Sequence, residues 1–226
     1  MCEIKGFLET SFVDWPGKIC SVLFLPRCNF RCPYCHNHSL VLSPERYATI
    51  PWEAILRRLV SFRDWIDGIC LSGGEPTLSP GLSSLLCEVK RLGFRVKLDT
   101  NGSQPRRLER LIEKRQVDFV SMDVKAPLDP VHYSRLTGSS IDLDLLWRSI
   151  SILRRGDVEY EFRMTVVPRL HSVDDVRRLG RQLKAGPRMV LQNFNPESPM
   201  DSSLKDTPSC KPEQLRELEK EIQGMT

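Results

Sequence analysis

The sequence is short of long apolar runs, so a membrane helix and a signal peptide are not expected. Its 226 residues contain no apolar stretch near the ~18 that a membrane helix needs. The opening run Met1-Cys2-Glu3-Ile4-Lys5-Gly6 holds no apolar signal-peptide core. A cytoplasmic location follows as the expectation, with no membrane partner. In that compartment thiols stay reduced, so the eight cysteines are not expected to form a disulfide framework. Charge of one sign is also scarce. The net charge is +4, and pairs such as Arg57-Arg58, Arg106-Arg107 and Arg177-Arg178 are scattered as solvated helix faces. That pattern argues against a nucleic-acid partner. Internal repeats and a second domain are absent from the pattern. Residues 1–226 read as one domain, with a barrel core over about 18–195 and a C-terminal loop and short helix over about 196–226.

What is present is a soluble balance, 27% charged and 40% hydrophobic, enough for a large core. Apolar runs and helical spacings alternate. Strands are expected at 19–25, 68–71, 94–98, 117–122, 158–167 and 189–194. Helices are expected at 52–66, around 82–89, at 108–113, 143–153 and 173–183, with a last short one carrying Leu215, Leu218 and Ile222 on one face. Six strand–helix units predict an α/β fold. With right-handed crossovers this is a partial (β/α)6 barrel of parallel strands with outer helices. Residues 195–209, rich in Pro, Ser and Asp, read as a flexible rim.

The densest chemistry lies just after the first expected strand, at Cys28, Cys32 and Cys35. Thiolates spaced this closely can wrap one soft metal centre. A fourth cysteine is missing nearby. Two readings stay open: a structural zinc site completed by His36 or His38, or a 4Fe–4S cluster with one iron left open for a substrate. Cys20, Cys70 and Cys87 fit buried positions. Cys2 and Cys210 fall in segments expected to be mobile, and no role is assigned to them. His38, His132 and His171 read as solvated loop histidines.

Other unusual polar motifs fall at strand ends. Ser72-Gly73-Gly74-Glu75-Pro76-Thr77 follows the second strand, Asp99-Thr100-Asn101-Gly102 the third, and Asp123-Val124-Lys125 the fourth. Arg163 lies within the fifth strand, and Gln192-Asn193 closes the sixth. In parallel barrels the carboxyl ends of the strands carry the chemistry. This convergence favours a catalytic cluster over a zinc scaffold. The glycine pair would let backbone approach a ligand, with carbonyls or Glu75 receiving an ammonium group.

Cys-x3-Cys-x2-Cys with Tyr34 before the last cysteine resembles the signature of radical S-adenosylmethionine (SAM) enzymes. Cys35-His36-Asn37 and Phe12-Val13-Asp14-Trp15-Pro16-Gly17-Lys18 resemble segments of glycyl-radical-enzyme activases. The run from Gly6 to Asn37 is most similar to anaerobic ribonucleoside-triphosphate reductase activating proteins. The resemblance implies a radical SAM fold with a 4Fe–4S cluster on Cys28, Cys32 and Cys35. Reductive cleavage of SAM would give a 5′-deoxyadenosyl radical that removes a hydrogen from a glycine of a partner enzyme. No catalytic side chain beyond the cluster is implied. The SAM contacts it implies are Tyr34 and His36 beside the adenine, Gly73, Gly74, Glu75 and Thr77 at the amine, and Asp99, Asp123, Lys125 and Arg163 around the methionine moiety, in some relatives about a monovalent cation. Salt bridges among these last four are the alternative. The Asp14–Gly17 element is either a turn or part of the barrel entrance. A glycyl radical enzyme is the implied partner, with an external reductant such as flavodoxin or ferredoxin. A formate-lyase-type partner, or small-molecule or peptide modification, are the competing enzyme readings.

Overall fold

Strands form where β-branched and apolar residues alternate with polar ones, and the alternation decides which face each residue takes. The structure, a computed structural model, describes residues 2–184 and 188–225. Seven strands lie in one sheet in chain order: β1 (Gly6–Ser11), β2 (Cys20–Leu25), β3 (Gly68–Gly73), β4 (Arg95–Thr100), β5 (Phe119–Asp123), β6 (Glu159–Val166) and β7 (Met189–Asn193). β2 to β7 are parallel and are the six expected strands. β1 pairs antiparallel with β2 and was not expected, because half-exposed Leu8 and polar Glu9 and Thr10 break its apolar pattern. The helices are α1 (His38–Leu42), α2 (Trp52–Ser61), α3 (Leu82–Arg91), α4 (Pro105–Glu113), α5 (Pro130–Thr137), α6 (Leu143–Arg154), α7 (Val173–Leu183) and α8 (Pro212–Gln223).

The curled sheet has two unlike faces. Leu23, Leu25, Ile69, Leu71, Val96, Leu98, Val120, Met122, Phe162 and Met164 belong to the large core shared with the helices. Between them, Ser72, Lys97, Asp99, Ser121, Asp123, Glu161 and Arg163 occupy the alternate positions. Below this polar layer a small core gathers Trp15, Cys20, Val22 and Cys70, with Phe24 and Phe119 against it. The Asp14–Gly17 element takes the turn alternative, with the Lys18 N–H donating to the Trp15 carbonyl at 3.1 Å, and Trp15 sets it away from the barrel entrance. A Cβ on Gly68, the first residue of β3, would come within 2.7 Å of the Trp15 ring. The element therefore plugs the amino-terminal end of the barrel, opposite the carboxyl ends of the strands.

The C-terminal segment, expected as a flexible rim, makes contacts with the barrel. Pro199, Leu204 and Thr207 are buried, and the Asp201 N–H donates to the Pro33 carbonyl at 2.8 Å. Arg169 donates to the Ser203 carbonyl at 3.0 Å. α8 then covers the outer edge of β7. Glu219 accepts from the Leu191 N–H at 2.7 Å, and Gln223 donates to the Met189 carbonyl at 2.8 Å. The Asn193 amide exchanges two hydrogen bonds with the Cys210 backbone, at 2.8 and 2.9 Å. Cys2 and Cys210 are thus held, being buried and half-buried, whereas Cys87 is exposed rather than buried. Among the described residues no helix is long and apolar enough to cross a membrane.

Candidate active site

The loop after β2 is positioned from several sides. Its first turn places Arg27 at φ 65°, a left-handed conformation that costs a non-glycine residue roughly 1 kcal/mol. That turn aims the Arg27 carbonyl at the loop after β3, where the Glu75 N–H donates to it at 2.7 Å. The end of α5 supplies a second anchor. The Arg31 N–H donates to the Thr137 carbonyl at 2.6 Å, and Ser139 donates to the Asn29 carbonyl at 2.9 Å. A third anchor is Asn37, whose amide donates to the Gly73 carbonyl at 3.0 Å.

Held in this way, Cys28, Cys32 and Cys35 line one cavity of about 240 Å³ at the carboxyl ends of the strands. Tyr34, His36, Gly73, Gly74, Glu75, Asp99, Asp123 and Lys125 line it too. The structure thus brings together eleven of the thirteen residues singled out from the sequence. Thr77 and Arg163 lie behind the wall. Thr77 is fully buried, with its hydroxyl and its N–H both donating to Glu75. Arg163 takes the salt-bridge alternative, 2.9 Å from Asp123 and 3.3 Å from Asp99.

Three of the wall residues also hold the loops together. Gly73, at φ 113°, would place a Cβ 2.4 Å from the Leu25 carbonyl oxygen, and Gly74 one 1.9 Å from that of Arg27. Both glycines are required by the close approach of the two loops, and both also line the cavity. The Glu75 carboxylate takes four donors: the hydroxyls of Thr77 and Thr100 and the backbone N–H groups of Thr77 and Asn101. Burial pushes this carboxyl above its usual range, and the donors offset part of that. With three donors on Oε1 and one on Oε2, Glu75 is a tie between the β3 and β4 loops.

A chain of alternating charges crosses the cavity floor. Lys97 contacts Asp99, Arg163 bridges Asp99 and Asp123, and Lys125 meets Asp123 at 2.9 Å. Burial alone would raise the Asp123 carboxyl, but Arg163 and Lys125 outweigh it and hold it well below the usual carboxylate range. Burial would lower the Lys125 ammonium, yet Asp123 raises it on balance. The gap between the two aspartates, where the resemblance suggested a monovalent cation, is spanned by the Arg163 guanidinium. Lys125 lines the cavity and has one carboxylate partner among the described residues. An ammonium has three donors, so the others remain for an anionic group.

Sequence reasoning missed two residues here. Asn101 lines the cavity, and its amide points at Cys28. His171 is buried rather than solvated. Its Nδ1 accepts from the Val167 N–H at 3.0 Å, so Nε2 carries the proton it gives to the Lys125 carbonyl at 2.9 Å. Burial drives its pKa down to about 4. Its ring meets Tyr34 edge-on at 6.0 Å, and the Tyr34 hydroxyl has no partner among the described residues. His36 sits exposed on the rim, 6.5 Å from the Phe194 ring.

The donor set fits an iron–sulfur cluster. The three thiols share the wall of one cavity, where they can hold a multi-atom group between them. Burial pushes Cys28 up to about 11 and Cys32 up to about 12, and raises Cys35. Such thiols need the positive charge of bound iron to become thiolates. The zinc alternative gains nothing from His38, whose ring faces Ser198 at 3.4 Å.

Comparison with known proteins agrees with this chemistry. Residues 22–182 match the radical SAM superfamily. The chain belongs to that superfamily, and is an enzyme whose cofactors are a 4Fe–4S cluster and SAM. Within it, a candidate glycyl-radical enzyme activating enzyme of Methanocaldococcus jannaschii is 34% identical over 96% of this chain and 90% of its own length. The pyruvate formate-lyase-activating enzyme of Staphylococcus aureus is 32% identical over 60% of this chain, which spans 59% of that enzyme. Among solved structures, Streptococcus suis SuiB bound to its precursor peptide SuiA superposes with a TM-score of 0.59 at 19% identity, over 87% of this chain and 43% of SuiB. The enzyme anSMEcpe with bound SAM superposes at 0.53 and 19% identity, over 74% of this chain and 49% of its own. At these identities the solved structures share the fold.

Proposed function

We propose that this chain installs a glycyl radical on a partner enzyme, and that the partner is anaerobic ribonucleoside-triphosphate reductase. The observation that carries the activase reading is similarity to a candidate activating enzyme along nearly the whole of both chains. The choice of reductase rests on the resemblance of the run from Gly6 to Asn37. When bound, the cluster and SAM supply one-electron cleavage of a carbon–sulfur bond, giving a carbon radical able to take a hydrogen atom.

The protein's part is to hold, orient and shield. Cys28, Cys32 and Cys35 hold iron. Lys125 takes the SAM carboxylate with the donors that Asp123 leaves free, and Asp123 and Arg163 fix Lys125 in place. The SAM ammonium goes to backbone carbonyls of the 72–74 segment. Tyr34 and His36 flank the adenine. The electron comes from a flavodoxin or ferredoxin in the cytoplasm. A formate-lyase-type partner is the second reading, favoured by the similarity to the Staphylococcus aureus enzyme.

The test mixes reconstituted protein, SAM and reductant with an anaerobic ribonucleotide reductase or with a pyruvate formate-lyase. A glycyl doublet in the electron paramagnetic resonance spectrum of the reductase, absent with Cys32→Ala, is the expected result. A doublet on the formate-lyase alone would replace the partner. SAM cleavage without a doublet on either would move the chain to peptide or small-molecule chemistry.

A further inference from the structure

Cys28 differs from the other two cluster cysteines in what surrounds its sulfur. Two N–H groups point at it. The Phe30 backbone N–H lies 3.3 Å from Sγ, and Nδ2 of Asn101 lies 3.7 Å away. The first comes with the loop's own turn. The second comes from the residue that follows β4, 73 positions along the chain, so the fold has to place it.

The placement is specific. The side-chain oxygen of Asn101 accepts from the Ser103 N–H at 2.9 Å. That bond settles which end of the amide is which, and turns the nitrogen toward Cys28. The same nitrogen donates to Oδ1 of Asn29 at 3.0 Å, a residue inside the cluster loop. The Asn101 backbone N–H donates to Glu75 at 2.7 Å, and Asn101 is 5% exposed. The buried carboxylate in the glycine motif therefore locks an amide against a cluster ligand.

We propose that Asn101 is a positioning residue that sets the reduction potential of the cluster through Cys28. An N–H aimed at a thiolate stabilises negative charge on sulfur. The reduced cluster puts more charge there than the oxidised one, so the bond favours reduction. One electron, taken from an external flavodoxin or ferredoxin, is the whole change; no bond to carbon and no proton is involved at this step. Asn101 raises the potential, and so lets a donor of modest strength fill the cluster. The inference rests on the cluster and is independent of the partner enzyme.

Two substitutions separate tuning from scaffolding. Asn101→Asp keeps an oxygen for the Ser103 N–H but replaces the donor facing Cys28 with a negative oxygen. Asn101→Ala removes both. Anaerobically reconstituted proteins are titrated at pH 8.5, with the reduced cluster followed by electron paramagnetic resonance and iron measured in parallel. The expected order of potential is wild type, then Ala, then Asp lowest. For Asp we expect a tenfold loss in the reduced-to-oxidised ratio at fixed donor potential, about 59 mV for one electron. A purely structural role gives the opposite order, with Asp close to wild type and Ala furthest from it. That order, or unchanged potentials in both, overturns the inference. So does failure of both variants to load iron, which would make Asn101 an assembly residue. Absence of iron from the wild type would instead refute the cluster, and no partner enzyme enters the measurement.

Discussion

A side chain added at Gly74 would meet the protein before it met any ligand. Its Cβ would lie 1.9 Å from the Arg27 carbonyl oxygen, at the root of the cysteine loop. Gly74→Val should therefore lose iron and SAM affinity together, read by iron analysis and calorimetry after reconstitution. Retention of about four irons per chain with SAM affinity gone would mean that the glycine faces the ligand after all. His171 makes a second point about single residues. Its imidazole has an ordinary pKa of 6.5 and is held neutral, down to about 4, chiefly by burial. The unfolded chain takes up this proton as pH falls through 6.5, while the folded chain refuses it until about 4. Stability should then fall with pH across that window, by ~3 kcal/mol at most. Urea titrations of the metal-free chain at pH 7.5 and 4.5 should show the loss, and His171→Gln should remove most of it; an equal loss in the variant would assign it to other groups. Both residues show what sequence could not disclose. Motif spacing located Gly74 but not the carbonyl it spares. Nothing local marks His171, because Lys125, its acceptor, is 46 positions away.

At the scale of elements, strong periodicity was legible and weak periodicity was not. The parallel strands lie close to where alternation placed them, and α7 spans the residues that its spacing predicted. α5 escaped notice. It is short, and its buried Tyr133, Leu136 and Thr137 make a thin stripe beside exposed Val131. Yet α5 anchors the cysteine loop, through Thr137 and through Gly138, where a Cβ would meet the Arg31 carbonyl oxygen at 2.7 Å. The 195–209 segment hides its contacts for another reason. Pro, Ser and Asp give it the composition of a mobile rim, and nothing local shows that the Asp201 N–H donates to the Pro33 carbonyl, between two cluster ligands. Its ends are already close, since Asn193 pairs with Cys210. Deleting 196–209 should therefore leave α8 docked and unfolding cooperative. The loss should appear in the cluster, with iron released to a chelator about five-fold faster, the factor set by ~1 kcal/mol for one hydrogen bond. An unchanged release rate would show that the Asp201 contact does not restrain the loop.

For the whole molecule, an open sheet leaves two edges that a closed barrel would not have, and each is a template for pairing with another chain. At β1 the register shifts between Leu8 and Ser11, an irregularity that breaks the row of backbone groups. Glu9 there also holds Arg58 in an ion pair. At β7 the protection is a separate element. α8 satisfies the edge groups of Met189 and Leu191 from its own side chains, and Ile222 packs against Gly180 of α7. The sequence showed α8 as a helix with one apolar face, but not that its Glu219 and Gln223 stand in for a missing eighth strand. Ending the chain at Lys211 would remove these caps and uncover the apolar face of α7 in one step. We expect that chain to keep its far-ultraviolet circular dichroism but to form higher-mass species as concentration rises, measured by light scattering beside the full-length protein. Glu219→Ala should stay at the full-length mass and lose ~1–3 kcal/mol, the cost of one buried N–H left unmet. If the truncated chain matches the full-length mass at every concentration, β7 needs no cover, and α8 serves the fold through its packing on α7 alone.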